Sequence, residues 1–194
     1  MSNEIVLDIE TIGDIKDFNN LQVTVISIYQ YATNKYTSFE ESELGNLWPL
    51  LEKTERIIGY NSEHFDLPIL NKYYTGDLLS FPSLDILKVI KESTGHRYKL
   101  NDIAKATLQE EKSADGLIAQ KWWEEGKKDK VKKYCEQDVK VTKGIYEYGK
   151  KNKQLYFPTL TGEIQPFAIN FDPPLKPVNA NGVGSENINL TLPL

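Results

Sequence analysis

The sequence predicts an α/β fold in which helices flank a mixed β-sheet. Three segments near the N-terminus are rich in β-branched and aromatic residues and follow one another closely, as the strands of an antiparallel meander do. Short strand-like segments then alternate with helical ones, and the longest helical pattern comes last. A meander followed by strand and helix alternation requires a sheet that contains both antiparallel and parallel strands.

Each predicted element depends on the spacing of its apolar residues and on the turn residues around it. The predicted strands cover residues 4–9, 21–32, 35–40 and 56–60, with a further short strand near 80–81. The predicted helices cover about 42–54, 66–74, 84–93, 99–108, 115–125 and 128–151. A turn at Thr33 and Asn34 joins the second and third strands, and Pro68 belongs to the first turn of its helix.

The pattern changes after Lys153. Residues 154–171 have the alternation of a β-hairpin that turns near Thr161 and Gly162, whereas residues 173–194 are rich in Pro, Gly and Asn. We therefore expect one domain over residues 1–172 that ends in this hairpin, followed by a tail over 173–194. The tail is a candidate contact for a protein partner.

Composition limits the class of protein. Hydrophobic residues make up 40% and charged residues 26% of the 194 residues, and no apolar run approaches the roughly 20 residues that a membrane helix requires. The N-terminal residues show no export signal, so we expect a cytoplasmic protein without a membrane partner. Cys135 is the only cysteine, which excludes an intramolecular disulfide and a cysteine-rich zinc site. A metal site in this chain would therefore use oxygen ligands.

The charge distribution bears on nucleic-acid binding. The net charge of −5 opposes contact with phosphate. Residues 127–153, however, contain ten lysines and only four acidic residues. Such a run is most often a solvated helix face, but a basic helix of this kind could also hold a nucleic-acid backbone.

Two carboxylates stand at the end of the first predicted strand. Because side chains alternate along a strand, Val6, Asp8 and Glu10 share one face. They lie at the C-terminal end of the strand, where the ligand sites of α/β sheets collect. Two carboxylates in an apolar setting need hydrogen bonds, a proton or a cation. The alternative is a strand end that simply reaches solvent.

The last predicted helix contains a third carboxylate within its apolar stripe. The residues of this stripe recur at helical spacing and are Val131, Tyr134, Cys135, Asp138, Val139, Thr142, Ile145 and Tyr146. Tyr134 lies one turn before Asp138 on the same side of the helix. The alternative is a core aspartate that a neighbouring hydroxyl satisfies.

A fourth carboxylate follows the strand predicted over residues 56–60. Asp66 stands at the start of a helix, where an aspartate most often accepts backbone N–H groups as an N-cap. Asn61 comes directly after the strand and has the alternative of a plain turn residue. Further along the chain, His96, Arg97 and Tyr98 combine basic and aromatic groups suited to phosphate contact and base stacking.

Three motifs occur in a fixed order along the chain. They are D-x-E at Asp8 and Glu10, N-x₃-F-D from Asn61 to Asp66, and Y-x₃-D at Tyr134 and Asp138. The set resembles the DEDD superfamily of 3′-5′ exonucleases, in the subgroup with tyrosine in the third motif, and the resemblance covers residues 4 to about 150. It implies a ribonuclease H-like fold and a metal-dependent 3′-5′ exonuclease that hydrolyses phosphodiester bonds.

The resemblance also implies roles for individual residues. Asp8, Glu10 and Asp138 would hold one divalent cation, Mg²⁺ or Mn²⁺, Asp8 would bridge to a second cation, and Asp66 would support that second cation through water. Tyr134 would orient the attacking water. Two metal ions of this kind can activate water and stabilise the leaving oxygen without a protein nucleophile.

Substrate contacts are expected around this centre. The residues assigned to substrate binding are Thr11, Ile12, Asn61 and Arg97. The expected partner is a nucleic acid with a free 3′ end, and DNA is favoured over RNA although the sequence does not decide between them.

Two other functions are compatible with the same fold. One is a ribonuclease H-like module that binds nucleic acid without cutting it, and the other is an endonuclease. All five expected catalytic positions are filled, which weighs against the first, and tyrosine at position 134 favours an exonuclease over the second.

Overall fold

The computed structural model describes residues 3–109, 117–159 and 161–172. Its strands are β1 (Glu4–Ile12), β2 (Gln22–Gln30), β3 (Lys35–Glu40), β4 (Arg56–Gly59), β5 (Ser83–Asp85), β6 (Gln154–Pro158) and β7 (Ile164–Ala168). Its α-helices are α1 (Leu44–Leu51), α2 (Asp66–Asn71), α3 (Ile86–Thr94), α4 (Leu100–Leu108), α5 (Leu117–Glu124) and α6 (Lys128–Asn152). Short 3₁₀ turns lie at Glu41–Glu43 and Leu78–Ser80.

The main sheet has five strands in the order β3-β2-β1-β4-β5. β1 pairs with β2 in the antiparallel sense and with β4 in the parallel sense, and β4 pairs with β5 in the parallel sense. The predicted α/β class with a mixed sheet is therefore confirmed. Because β1, β4 and β5 run in the same direction, their C-terminal ends meet at one edge of the sheet, which we call the site edge.

The two faces of the sheet are covered by different helices. On one face, Ile5, Leu7 and Ile9 pack with buried leucines of α1 and α2. On the other face, Val6 and Ile58 pack with buried residues of α4 and α6. This division follows from the alternation of side chains along β1, and it places Asp8 and Glu10 on the face that α6 covers.

A buried ion pair lies at the edge of the sheet opposite the site edge. The Arg56 guanidinium donates from Nε to Glu4 Oε1 at 2.9 Å and from Nη1 to the Phe171 backbone oxygen at 2.9 Å. Arg56 Nη2 also donates to the Tyr146 hydroxyl at 2.8 Å, and this hydroxyl donates to Glu4. The Lys150 ammonium lies 3.4 Å from Glu4 Oε2. The pair joins β1, β4, α6 and the segment that follows β7.

The prediction of a short strand near residues 80–81 was wrong. That stretch is a 3₁₀ turn at Leu78–Ser80, and the strand is Ser83–Asp85. Pro82 explains the shift, because proline has no N–H for a sheet ladder. Its carbonyl instead accepts the Ile57 N–H at 2.8 Å, and the paired residues begin directly after it.

Three predicted helices are shorter in the structure. The first, predicted over 42–54, starts with a 3₁₀ turn and is α-helical only over Leu44–Leu51. The second, predicted over 66–74, ends at Asn71. The third begins at Ile86 because Asp85 is its N-cap and accepts N–H groups from Leu87 and Lys88.

The C-terminal hairpin pairs β6 with β7 and packs against α4 and α6. The predicted tail over 173–194 and residues 115–116 of a predicted helix lie outside the described residues. Among the helices that the structure describes, none combines the length and the apolar character needed to span a membrane.

Candidate active site

Three carboxylates converge at the site edge. Asp8 and Glu10 extend from β1, and Asp138 extends from α6, which crosses the sheet above β1 and β2. One carboxylate oxygen of each residue lies within 4.8 Å of the others. The D-x-E spacing and the helical stripe thus bring together the residues that the sequence singled out.

A β-bulge follows the two carboxylates of β1. The pairing with β2 shifts between Glu10 and Thr11, so that Glu10 faces Val25 while Thr11 faces Val23. A bulge twists a strand and redirects its side chains, and bulges are frequent next to active sites. Thr11 and Ile12, both assigned to substrate contact, come directly after it and are half-buried. The structure thus places them beside the carboxylates.

Helix α6 is anchored to β1 next to the carboxylates. Cys135 is fully buried, and its thiol donates to the Asp8 backbone oxygen at 3.2 Å. Burial, and then the negative charges of Asp8 and Glu10, raise the pKa of the Cys135 thiol well above its ordinary value. The thiol is therefore a neutral donor that holds the helix on the strand rather than a nucleophile.

Tyr134 lies one helical turn before Asp138, and both side chains are about 6% exposed. The Trp122 ring of α5 meets the Tyr134 ring edge to face, with centroids 6.1 Å apart. Aromatic pairs of this geometry have preferred orientations, so α5 fixes the Tyr134 ring. Trp122 and Trp123 are half-buried and pack against buried residues of α5 and α6.

Asp66 is at the start of α2 and reaches β1. Its buried carboxylate accepts the backbone N–H of Ile9, the residue between Asp8 and Glu10. Burial chiefly, with a contribution from the negative charge of Asp85, raises the pKa of the Asp66 carboxyl to about 7. In the described residues, the group with carboxylate oxygens within 4.8 Å of one another contains Asp8, Glu10 and Asp138, and Asp66 is not part of it.

Asp85 organises the neighbouring part of the site edge. One of its oxygens accepts the Asn61 N–H at 2.8 Å as well as the N–H groups that it caps on α3, and the other accepts the Glu63 N–H at 3.2 Å. Asp85 therefore fixes the loop that leads from β4 to Asp66. The sequence patterns did not single out Asp85 as a site residue, because the strand that ends at it was predicted elsewhere.

Two predicted substrate contacts meet at this loop. Asn61 has a left-handed backbone with φ of 63°, a conformation that asparagine tolerates better than most residues. Its side-chain oxygen accepts a hydrogen bond from Arg97 Nη2 at 2.7 Å. The structure thus brings Asn61 and Arg97 together at the site edge, from the loop that follows β4 and the α3–α4 loop.

The lysine-rich segment is less positive than its composition indicates. Six of its ten lysines form ion pairs with acidic residues of the described chain. Lys128 and Lys132, for example, both bind Glu40 at the end of β3, at 2.7 and 2.8 Å. The reading of this segment as a solvated helix face gains support, and its role in holding a nucleic-acid backbone loses support.

The arrangement of the carboxylates on this fold indicates the class of protein. A five-stranded mixed sheet flanked by helices presents three carboxylates from its central strand and its longest helix, an oxygen-rich centre suited to a hard divalent cation. The RNase_H superfamily profile matches residues 5–149, and the chain belongs to this superfamily. This membership, together with the carboxylate centre, indicates a nuclease that acts on nucleic acid.

Other comparisons agree with the fold. The structure is similar to the family B DNA polymerase from the hyperthermophilic archaeon Pyrobaculum calidifontis, with a TM-score of 0.58 and 16% sequence identity. The similarity covers 75% of this chain and 24% of the polymerase chain. A search of curated proteins found no match to this sequence.

Proposed function

We propose that this chain is a metal-dependent exonuclease that removes nucleotides from the 3′ end of a single-stranded nucleic acid. The observation on which the proposal depends is the convergence of Asp8, Glu10 and Asp138 at the site edge. Tyr134 one turn before Asp138 completes the pattern of the tyrosine-containing DEDD exonucleases. The similarity to about a quarter of a DNA polymerase chain supports the same proposal, because the DEDD superfamily includes proofreading domains.

The donor set fits a divalent cation. Three carboxylates whose oxygens lie within 4.8 Å repel one another strongly unless a proton or a cation is present. Mg²⁺ and Mn²⁺ prefer oxygen ligands, and Asp8, Glu10 and Asp138 would hold one such ion. Asp66, beside β1, would support a second. When bound, ions of this kind lower the pKa of a water and offset the charge that develops on the leaving oxygen.

The chain's own residues would position the reactants. Tyr134 would align the attacking water through its hydroxyl, and the edge contact with Trp122 would keep the ring in place. Thr11 and Ile12 follow the carboxylates on β1 and would contact the terminal nucleotide. The fully buried Cys135 thiol takes no part as a nucleophile, so hydrolysis would proceed by direct attack of water.

Oligonucleotides labelled at the 5′ end test this function. With Mg²⁺ or Mn²⁺, the wild-type chain should shorten single strands one nucleotide at a time from the 3′ end, and parallel DNA and RNA strands of one sequence would decide the substrate. The Asp138→Asn variant is the matched negative control. Internal cuts would instead identify an endonuclease, and binding without cleavage would identify a module that only holds nucleic acid.

A further inference from the structure

Two pockets lie near the loops that follow β4 and α3. The first, which we call the basic pocket, has a volume of about 260 Å³ and is lined by Asn61, Asp85, Lys88, Lys91 and Arg97 among others. The second, the aromatic groove, has a volume of about 730 Å³ and lies between the α3–α4 loop and the C-terminal hairpin. Arg97 lines both pockets, so the two are neighbours.

The basic pocket follows the carboxylates along the site edge, because Asn61 and Asp85 of its lining stand just after β4 and at the end of β5. In the sheet, β4 is next to β1 and β5 is next to β4, and all three end at the site edge. Two strand spacings amount to roughly 10 Å. Neighbouring nucleotides of a stacked strand are roughly 3.4 Å apart, so about three of them separate the carboxylates from the basic pocket.

The aromatic groove has surfaces suited to nucleobases. Its lining includes His96, Tyr98 and Phe157, with the Tyr98 ring centroid 5.1 Å from that of Phe157 and 6.4 Å from that of His96. The Tyr60 hydroxyl donates to the Tyr98 backbone oxygen at 2.8 Å. This bond anchors the α3–α4 loop to the residue that follows β4. Tyr98 on this loop and Phe157 on β6 are half-buried, so their rings can offer π-faces without a large loss of side-chain entropy.

The charges along the same path suit a phosphate backbone. Arg97 stands between the two pockets, and Lys91 and Lys88 line the basic pocket. Lys88 is paired with Glu63 at 2.6 Å, and the Glu163 carboxylate lines the aromatic groove, so the path contains acidic groups as well. A row of cations that leads to stacking platforms is the arrangement by which proteins bind single strands without reading sequence.

We propose that the basic pocket and the aromatic groove hold the single strand on the 5′ side of the cleaved bond, with phosphates on Arg97 and Lys91 and bases on Tyr98 and Phe157. The inference rests on the proposed function, which identifies the bound molecule as the single strand that is cleaved. It assigns to the C-terminal hairpin the role of one wall of the binding path. The substrate class is then a single strand of several nucleotides rather than a dinucleotide or a blunt duplex end.

Chain-length dependence tests the proposal. For wild type with Mg²⁺, kcat/KM should rise from a dinucleotide to a dodecanucleotide. Tyr98→Leu and Phe157→Leu keep apolar volume and remove a stacking face, which should reduce the dodecanucleotide-to-dinucleotide ratio of kcat/KM by about tenfold each. Tyr36→Leu, on β3 at the far side of the sheet, is the matched control and should leave the ratio unchanged.

A third variant changes the charge of the aromatic groove without affecting its packing. Glu163 is exposed, and Glu163→Gln removes a carboxylate that repels phosphate, so the ratio should rise and its salt dependence should change. Glu55→Gln, exposed at the opposite edge of the sheet, is the control. Ratios equal to that of wild type for all three groove variants, with cleavage intact, would overturn the assignment of the groove.

A binding measurement separates this inference from the proposed function. Fluorescence anisotropy of a labelled dodecanucleotide with Ca²⁺ in place of Mg²⁺ reports affinity without requiring cleavage. If the wild type binds the strand, and Tyr98→Leu weakens that binding about tenfold while Tyr36→Leu does not, the groove is a strand site even where no exonuclease activity is found. Affinity that is equal in wild type and Tyr98→Leu, or no binding at all, would overturn it.

Discussion

The two ends of the β1–α6 pair surround their acidic residues in opposite ways. At the end away from the site edge, Glu4 of β1 receives the Arg56 guanidinium, the Tyr146 hydroxyl and the Lys150 ammonium, the last two from α6. At the site edge, the residue that α6 presents to Asp8 and Glu10 is a third carboxylate, Asp138. The same strand and helix therefore form a compensated charge cluster at one end and an acidic cluster at the other.

The difference indicates which cluster is structural and which is functional. A buried charge is tolerated when the chain supplies an opposite charge and hydrogen bonds, as Arg56 does for Glu4. Three carboxylates that converge within a few ångströms repel one another, and a proton or a bound cation relieves that repulsion.

Removing one acid from the site edge should abolish activity without harming the fold. Asp138→Asn keeps the side-chain shape and removes a metal ligand, so cleavage should fall by more than about 10³-fold, equivalent to about 4 kcal/mol of transition-state stabilisation. In metal-free buffer its melting temperature should equal or exceed that of wild type, because repulsion among the carboxylates is relieved. Glu136→Gln, exposed on the same helix, is the control for both measurements. If the melting temperature of Asp138→Asn in metal-free buffer falls well below that of wild type, Asp138 has a structural role.

Removing the cation from the compensated cluster should have the reverse outcome. Arg56→Met leaves the Glu4 carboxylate buried without its main partner, which should lower the free energy of unfolding by about 3–5 kcal/mol. Urea denaturation measures this loss. The double variant Arg56→Met with Glu4→Gln should recover part of it, because the uncompensated charge is gone. Equal loss in the single and double variants would show that Arg56 stabilises by packing rather than by pairing.

Divalent metal should stabilise the site edge specifically. At about a hundredfold excess over its Kd, Mn²⁺ or Mg²⁺ should raise the free energy of unfolding of the wild type by about 2.7 kcal/mol through mass action. Asp8→Asn should lose most of the resulting rise in melting temperature, whereas Asp129→Asn, exposed at the start of α6, should keep it. An equal rise in wild type and Asp8→Asn would remove Asp8 from the metal centre.

The Tyr134 hydroxyl should affect turnover alone. Tyr134→Phe keeps the ring against Trp122 and removes one positioning hydrogen bond, which should cost roughly 10²-fold in rate, or about 2.7 kcal/mol. Single-turnover kinetics with saturating metal and substrate isolate this step. A Phe variant as fast as wild type would return Tyr134 to the core, and loss of metal-induced stabilisation would mean that the hydroxyl helps to form the metal centre.

The raised pKa of Asp66 predicts a pH dependence of the metal-free protein. Between the ordinary value of 3.8 and about 7, the folded state binds a proton that the unfolded state has released. The stabilisation is therefore complete below the lower value and is lost as the pH rises toward about 7, with a slope of at most about 1.4 kcal/mol per pH unit. Denaturation across this range should show the slope in wild type and a shallower one in Asp66→Asn. If wild type and Asp66→Asn give parallel curves of stability against pH, a group other than Asp66 causes the slope.

Much of the fold and of the candidate site was readable from local patterns. The period of two along β1 predicted that Asp8 and Glu10 share a face, and the period of about 3.6 along α6 predicted that Tyr134 and Asp138 point into the core. These signals are reliable because a strand or a helix fixes the direction of its side chains by its own geometry. The strand near 80–81 was misplaced because Pro82 and the pairing with β4 decide where β5 begins.

The α/β class, the acids of β1 and α6, and the order of the motifs were predictable from the sequence. Three contacts became visible only in three dimensions: Glu4 meets Arg56 and Tyr146, Asp85 holds the Asn61 loop, and Arg97 lines two pockets. The physical reason is the range of the interactions. Periodicity is a property of one element, whereas the partner of a buried charge depends on strand order and helix packing, which bring together residues far apart in the chain.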